Sequence, residues 1–354
     1  MHSRFRFFSG LLAGVCLGGI VVFVWFKNIQ RKYDHLLATA QQQERSIAVL
    51  EAIIDSIQQQ SYSGLLNQLV EVIDAERRQG QSTILKAETI SRIASLSYAF
   101  RPVIHREGDS VSTRKLSKER GQLLLFLSGL ELDTATLHRI FTRASFAGAD
   151  LQGADLQGAS LQGIDLSGAD LSNAKLNGVN LTDAHLARAT FWGSNLHQAI
   201  LTHADLTGAN LSWCDINNAH LEKAILTEAD LTSAQLRGAD LDGANLQWVE
   251  LGGAFLNSAN LDSADMFRAS CKRTQFEKTI LTRANLNLAD LTEANMTEAV
   301  LIDANLLEVV VGGENWIQQL REWHVVGIDE IEKAYKVVTS NTTGKPFFQV
   351  KKKP

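Results

Sequence analysis

The feature that most limits what this chain can become is a repeat of five residues. From Ala144 to Glu308 the sequence runs without slippage through 33 pentapeptides, beginning with units such as Ala149-Asp150-Leu151-Gln152-Gly153 and ending at Ala304-Asn305-Leu306-Leu307-Glu308. With the apolar centre of each unit called i, leucine fills 26 of the 33 centres; the exceptions are Phe146, Phe191, Ile216, Met266, Cys271, Phe276 and Met296. Alanine fills 26 of the 33 positions at i−2. A period of five matches neither the 3.6 of a helix nor the 2 of a strand, so neither element keeps one face apolar. A chain that turns a corner every five residues does. Its large i and small i−2 side chains face inward, i−1, i+1 and i+2 face outward, and glycine recurs at i+2 where the corner is made. Four such sides close a coil of twenty residues, and 165 residues make about eight coils, or a rod about 40 Å long at the 4.8 Å spacing of paired strands.

These units resemble the pentapeptide-repeat family with its A(D/N)LXX consensus. The resemblance covers just under half of the chain. It implies a mainly β fold, a right-handed quadrilateral β-helix with leucine ladders inside. The four-sided section follows from the period; the hand follows from the resemblance. The segment Leu116-Ser117-Lys118-Glu119-Arg120-Gly121-Gln122-Leu123-Leu124 is also similar to the helical region that precedes the repeats in some members.

The flanks are of other kinds. Phe7 to Phe26 is an uncharged apolar run of 20 residues, long enough as a helix to span a bilayer. Arg4 and Arg6 precede it, and Lys27, Arg31 and Lys32 follow. Trp25-Phe26-Lys27 makes a poor signal-peptide cleavage site, so the run reads as a retained anchor across residues 1–29. The balanced flanking charges leave the side of the membrane open. Residues 30–80 are Gln-rich, with apolar residues at heptad spacing (Tyr33, Ala40, Ile47 and Ile54; Leu36, Leu50 and Ile57). They form either a self-associating stalk, and with it a homo-oligomer, or a single amphipathic helix. Residues 81–143 read as a helical neck that covers the first coil. It has helices capped near Ser82, Ser117 and Asp133, and a charged loop over 105–115. Residues 309–354 read as a small α/β cap on the last coil. Asn315 and Asp329 are its helix caps, Phe347–Val350 a strand, and Lys351–Lys353 a solvated basic tail.

The outward positions carry whatever is specific. The net charge is −5 overall, but residues 144–308 hold 21 acidic against 9 basic residues. Asp150, Asp170, Asp230, Glu250 and Asp290 fall at i−1 on one face, an interrupted acidic stripe. An acidic rod can imitate a DNA backbone, and some members of the family act so on a type II topoisomerase; that is the alternative to a scaffold. Aspartate is also the ordinary i−1 residue of the consensus, which makes nucleic-acid mimicry the lesser reading. Exposed aromatics point instead to a protein partner: Trp192 and Trp213 share a face in consecutive coils, and Trp248 and Phe267 pair on the next. Ile280, Val300 and Ile302 also face outward near the end of the array, under expected cover from the C-terminal segment.

No catalytic set is recognisable. A filled solenoid has no central pocket, the nine histidines show no metal-ligand spacing, and no phosphate or dinucleotide loop occurs. Cys214 and Cys271 fall at inward positions nearly three coils apart, beyond disulfide reach, and read as buried free thiols. The sequence therefore describes a membrane-anchored scaffold or interaction module with no cofactor, no metal and no nucleic-acid partner expected.

Overall fold

The structure is a computed structural model that describes residues 64–78, 84–107, 110–130, 132–340 and 347–354. The apolar run Phe7–Phe26 and most of the 30–80 segment lie outside the described residues. No helix among the described residues is long and apolar enough to cross a membrane. Leu65–Pro354 form one unit.

The repeats wind into a four-sided solenoid. From Asp150 to Asp290, each i−1 residue bridges in parallel to the residue twenty positions on, as in Asp150↔Asp170, Asp155↔Lys175, Ser160↔Asn180 and Asp165↔His185. Three backbone hydrogen bonds recur on each side. Leu151 N donates to Asp170 O at 2.7 Å, Gly153 N to Ser172 O at 2.9 Å, and Asp170 N to Ala149 O at 2.9 Å. The centres and the i−2 positions interdigitate as a dry core, and Leu171, Leu206, Leu226 and Phe276 are completely buried. Polar residues at i−2 are admitted because a carbonyl of the preceding coil takes their proton. Ser194 Oγ donates to Leu171 O, Thr274 Oγ1 to Leu251 O, Thr279 Oγ1 to Leu256 O and Cys214 Sγ to Phe191 O. Cys214 and Cys271 are buried and free. Burial pushes the Cys214 thiol up to about 12 and raises that of Cys271 as well, so neither is a nucleophile at neutral pH.

The corners explain the rest of the consensus. All 33 residues at i+2 have φ between 55° and 67°; 11 are glycine and 22 carry side chains. Where i−1 is aspartate or asparagine, its side chain closes the turn before the corner. Asp170 Oδ1 accepts from Ser172 N at 3.0 Å and from Ser172 Oγ at 2.6 Å, and Asn180–Thr182, Asp205–Thr207 and Asn210–Ser212 repeat the arrangement. Aspartate and asparagine crowd i−1, and serine and threonine i+1, because together they make this side-chain turn.

Helices and a hairpin close the first coil. Helix α1 (64–78) and helix α2 (Ala87–Ala99) are joined where Thr89 Oγ1 donates to Glu76 Oε2 at 2.6 Å. Strands β1 (Val103–Glu107) and β2 (Ser110–Leu116) form an antiparallel hairpin, with Val103 opposite Leu116. The neck is therefore not wholly helical, and the loop expected over 105–115 is a strand pair. Its β-branched residues Val103, Ile104, Val111 and Thr113 outweigh the charges that suggested a loop. Helix α3 (Lys118–Ser128) is capped by Ser117, and helix α4 (Thr134–Phe141) by Asp133; each side chain accepts from the backbone N–H three residues on. Helix α2 starts at Ala87 with no side-chain cap, while Ser82 lies outside the described residues.

The neck docks by continuing the ladder. Ser117 N donates to Gly148 O and Asp150 N to Ser117 O, so Ser117 serves as a strand below the first coil. Arg120 is 6% exposed. Its Nε donates to Ser97 O and its Nη1 to Ala147 O, which ties α2 and α3 to the array. Desolvation lowers the pKa of this guanidinium, partly offset by Asp165.

At the other end, strand β3 (Val310–Val311) lies beside Asp290, and strand β5 (Phe347–Lys352) pairs with both β3 and β4 (Tyr335–Ser340). Helices α5 (Trp316–Glu322) and α6 (Ile328–Ala334) lie between β3 and β4. Neither Asn315 nor Asp329 caps: Asn315 makes no side-chain cap bond, and α6 starts after Gly327, whose φ of 94° no aspartate favours. Lys351 and Lys352 belong to β5, and Lys351 Nζ pairs with Glu308 at 2.7 Å, so the basic end is docked strand and not a free tail. The segment through Val326 covers the Val300 edge, with Leu301 N donating to Val326 O, but Ile280 and Ile302 stay 41% and 43% exposed.

Two substitutions test this construction. Leu226→Asp places a carboxylate in a fully buried site and is expected to cost about 4 kcal/mol or more, seen as an early loss of the thermal transition. Gly121→Ala puts a Cβ 2.0 Å from the Asp150 carbonyl oxygen, a backbone atom that cannot swing away. It is expected to destabilise the neck by about 3 kcal/mol. Gly129→Ala, with its nearest atom at 3.5 Å, should leave the melting midpoint unchanged.

Candidate functional site

What the molecule offers to a partner is its outer surface, arranged in columns. Because one coil is twenty residues, each outward position stacks on the residues twenty before and after it, about 4.8 Å apart. A side chain at i+2 sits on a left-handed corner and projects from an edge of the rod; one at i+1 lies just before that edge.

Trp192 and Trp213 fall in consecutive coils beside one such edge and are 47% and 65% exposed. Trp213 occupies a left-handed corner (φ 61°), where a non-glycine residue costs about 1 kcal/mol. No ring–ring contact joins the two indoles among the described residues. The corner below Trp213 is Gly193, over which the Asn173 side chain reaches.

Trp248 and Phe267 do meet. Their ring centroids are 6.2 Å apart at 84°, edge to face. The guanidinium of Arg268 lies 4.5 Å over the Trp248 ring and 5.4 Å from that of Phe267. Sequence reasoning found the two rings and missed the cation, although the register places Arg268 directly above Trp248. A second stack, Arg237 over Phe255 at 4.5 Å, was likewise missed.

The acidic stripe is one ladder, on which Asp150 bridges Asp170 and Asp230 bridges Glu250. Thr190, Asn210 and Ser270 interrupt it. Its carboxylates are largely engaged at home. Asp170 is 6% exposed and takes bonds from Ser172 and from Gln152 Nε2. Asp230 closes the turn onto Thr232 N, while Asp290 closes that onto Thr292 N and pairs with Lys272 at 3.2 Å. Glu250, one methylene longer, makes no such turn bond. Paired histidines are similarly occupied, His203 with Asp183 and His220 with Glu222. Among the described residues no group of histidine, cysteine and carboxylate side chains is arranged to hold a metal ion.

Comparisons with known proteins address the array. The family model described as pentapeptide repeats matches in eight copies over residues 140–163, 164–202, 204–243, 239–283 and 269–306. Among curated proteins nothing matches. Among solved structures, the chain is similar to HetL, a pentapeptide repeat protein involved in heterocyst differentiation regulation in the cyanobacterium Nostoc. The identity is 30% over 48% of this chain and 83% of HetL, with a TM-score of 0.27. It is also similar to a pentapeptide repeat protein of the Arabidopsis thaliana thylakoid lumen, at 32% identity over 31% of this chain and 69% of that one, TM-score 0.23. QnrB1, a plasmid-mediated fluoroquinolone resistance protein, matches at 16% identity over 50% of this chain and 92% of its own, TM-score 0.27. Matched copy by copy by the family model between residues 140 and 306, the array of this chain is a pentapeptide-repeat domain of that family.

Proposed function

We infer that this protein is a non-enzymatic scaffold, held at a membrane by Phe7–Phe26, whose solenoid presents a protein-docking surface centred on Trp192 and Trp213. One observation carries the reading: two large indoles, about half and two thirds exposed, stand one coil apart on a rod whose interior is completely filled. Tryptophan concentrates binding energy at interfaces, and leaving it in water forfeits about 2 kcal/mol of burial. The filled core leaves no cavity along the array for a substrate, so recognition falls to the outside. The 20-residue apolar run, flanked by basic residues, supports the anchor.

The acidic-rod alternative has less behind it. A DNA mimic needs free, evenly spaced carboxylates. On this ladder Asp170 is buried, Asp230 and Asp290 are committed to turns, and Asp290 is neutralised by Lys272.

Three experiments check the proposal. Proteins captured from native membranes by the full chain should fall away with Trp192→Ala plus Trp213→Ala, while the melting midpoint holds; an unchanged capture profile removes the docking surface. The chain should leave a type II topoisomerase neither inhibited nor protected at micromolar concentration, and inhibition there would reinstate the mimic. For the anchor, the full chain should stay with membranes through alkaline carbonate and deletion of residues 1–29 should release it; release of the full chain by carbonate contradicts the anchor.

A further inference from the structure

The edge that carries Trp248 has a pattern that the Trp192 edge lacks. Read upward from the third coil, above Gly148 and Gly168, its corners are Arg188, Gly208, Glu228, Trp248, Arg268, Leu288 and Glu308, each at φ between 57° and 63°. Inverted about Trp248, the column is its own complement. Glu228 exchanges with Arg268 one coil either side, Gly208 with Leu288 at two coils, and Arg188 with Glu308 at three. Opposite charges meet opposite charges twice, and the one large aliphatic corner meets a corner with no side chain.

Three of the four charges in this column, at Arg188, Glu228 and Arg268, are also left over. Elsewhere the cations of the coil that contains Arg268 find carboxylates: Arg273 with Glu293 at 2.7 Å, Lys278 with Glu298 at 3.8 Å, and Arg283 with Asp262 at 2.5 Å. Arg268 has Leu288 above it and lies over Trp248, with no carboxylate in ion-pair range among the described residues. Arg188 and Glu228 are exposed and likewise form no ion pair among the described residues. Glu308 is half-buried, and Lys351 already holds one of its oxygens.

The geometry points to a second copy of this chain as the occupant of the Trp248 edge, docked antiparallel about a two-fold axis beside Trp248. Such an interface is isologous, so each contact occurs twice with the roles of the copies exchanged. Trp248 meets Trp248 of the second copy. Arg268 keeps its stack on Trp248 and gains Glu228 of the second copy, while Leu288 enters the recess at Gly208. Beside the edge, Phe267 at i+1 meets Thr227, Leu307 meets Ala187, and Gln247 meets its own copy. These pairings combine large with small and bring no like charges together. Glu250 stands on the opposite flank of the corner, so the copies lean together on the Phe267 side, away from it. The six coil steps from Arg188 to Glu308 make a contact about 29 Å long. The inference does not rest on the Trp192 surface, and its test leaves Trp192 and Trp213 untouched.

The test uses the full chain in detergent, with Cys16→Ser removing the one thiol outside the array and Gln247→Cys placed beside the axis. A short bis-maleimide should join two copies through residue 247. Association through residues 30–80 gives no link at this site. Glu228→Arg alone, and Arg268→Glu alone, should each lower the linked fraction about ten-fold. The two together should restore it, because the swapped charges again face each other. Gln247→Cys, Glu228→Arg and Arg268→Glu change outward-facing positions, and melting midpoints are read alongside. If Gln247→Cys itself lowers the midpoint, the series is read at Thr227→Cys with a longer linker. No link at either position overturns the proposal. So does a link indifferent to the single reversals, or a double reversal no better than the singles.

Discussion

A residue in the left-handed region is required at every quarter-turn of this solenoid, and only 11 of the 33 are glycine. The other 22 each cost about 1 kcal/mol relative to an ordinary conformation. That burden is tolerable because the corner N–H is bonded to the next coil, as where Trp213 N donates to Thr232 O and Lys278 N to Thr297 O. Where it is aspartate or asparagine, the i−1 side chain closes the same turn from within. Corner, side-chain turn and inter-coil ladder are thus one cooperative device, and the leucine core is what holds successive copies of it in register.

This device also changes how the charge of the rod is to be understood. Twenty-one acidic side chains on the array suggest an electrostatic purpose until their oxygens are followed. At Asp205, Asp215, Asp230, Asp265 and Asp290 an oxygen accepts from the backbone N–H two residues on. Asparagine does the same at Asn180 and Asn210 without charge. At these i−1 positions the acid serves the turn, and its charge comes with that geometry. Charges with no such duty, at Arg188, Glu228 and Arg268, therefore say more about recognition than the stripe does.

How far the sequence could be read depended on whether a period was present. Across the array, a single phase assigned every inward side chain, including the odd ones, Cys214, Cys271 and Thr279, all completely buried. It also aligned Trp248 with Phe267. The reading stopped at contacts that require a side chain's direction, such as Arg268 folding down onto Trp248. Outside the array no period constrains the chain, and local signals compete. At 103–116, β-branched residues and charges gave opposite indications, and the hairpin won because its inner end adjoins Ser117, itself a strand beneath the first coil. At α6 the cap is Gly327, whose φ of 94° is an accommodation to the Ile302 backbone 3.1 Å from where its Cβ would be. Lys351 looked solvated because nothing in the sequence puts Glu308 beside it. The carbonyl pair that holds Arg120 is equally invisible, since Ser97 and Ala147 lie 23 and 27 residues away.

The twenty-residue coil has a consequence for how such a chain can vary. Losing or gaining one pentapeptide leaves the interior intact, yet turns everything beyond that point by ninety degrees, so that an edge built from one column is spliced to the next column round. Four pentapeptides at once restore the original edges at a new height. Length changes in this rod therefore act as rotations, and surfaces assembled from several coils survive only those that complete a full revolution.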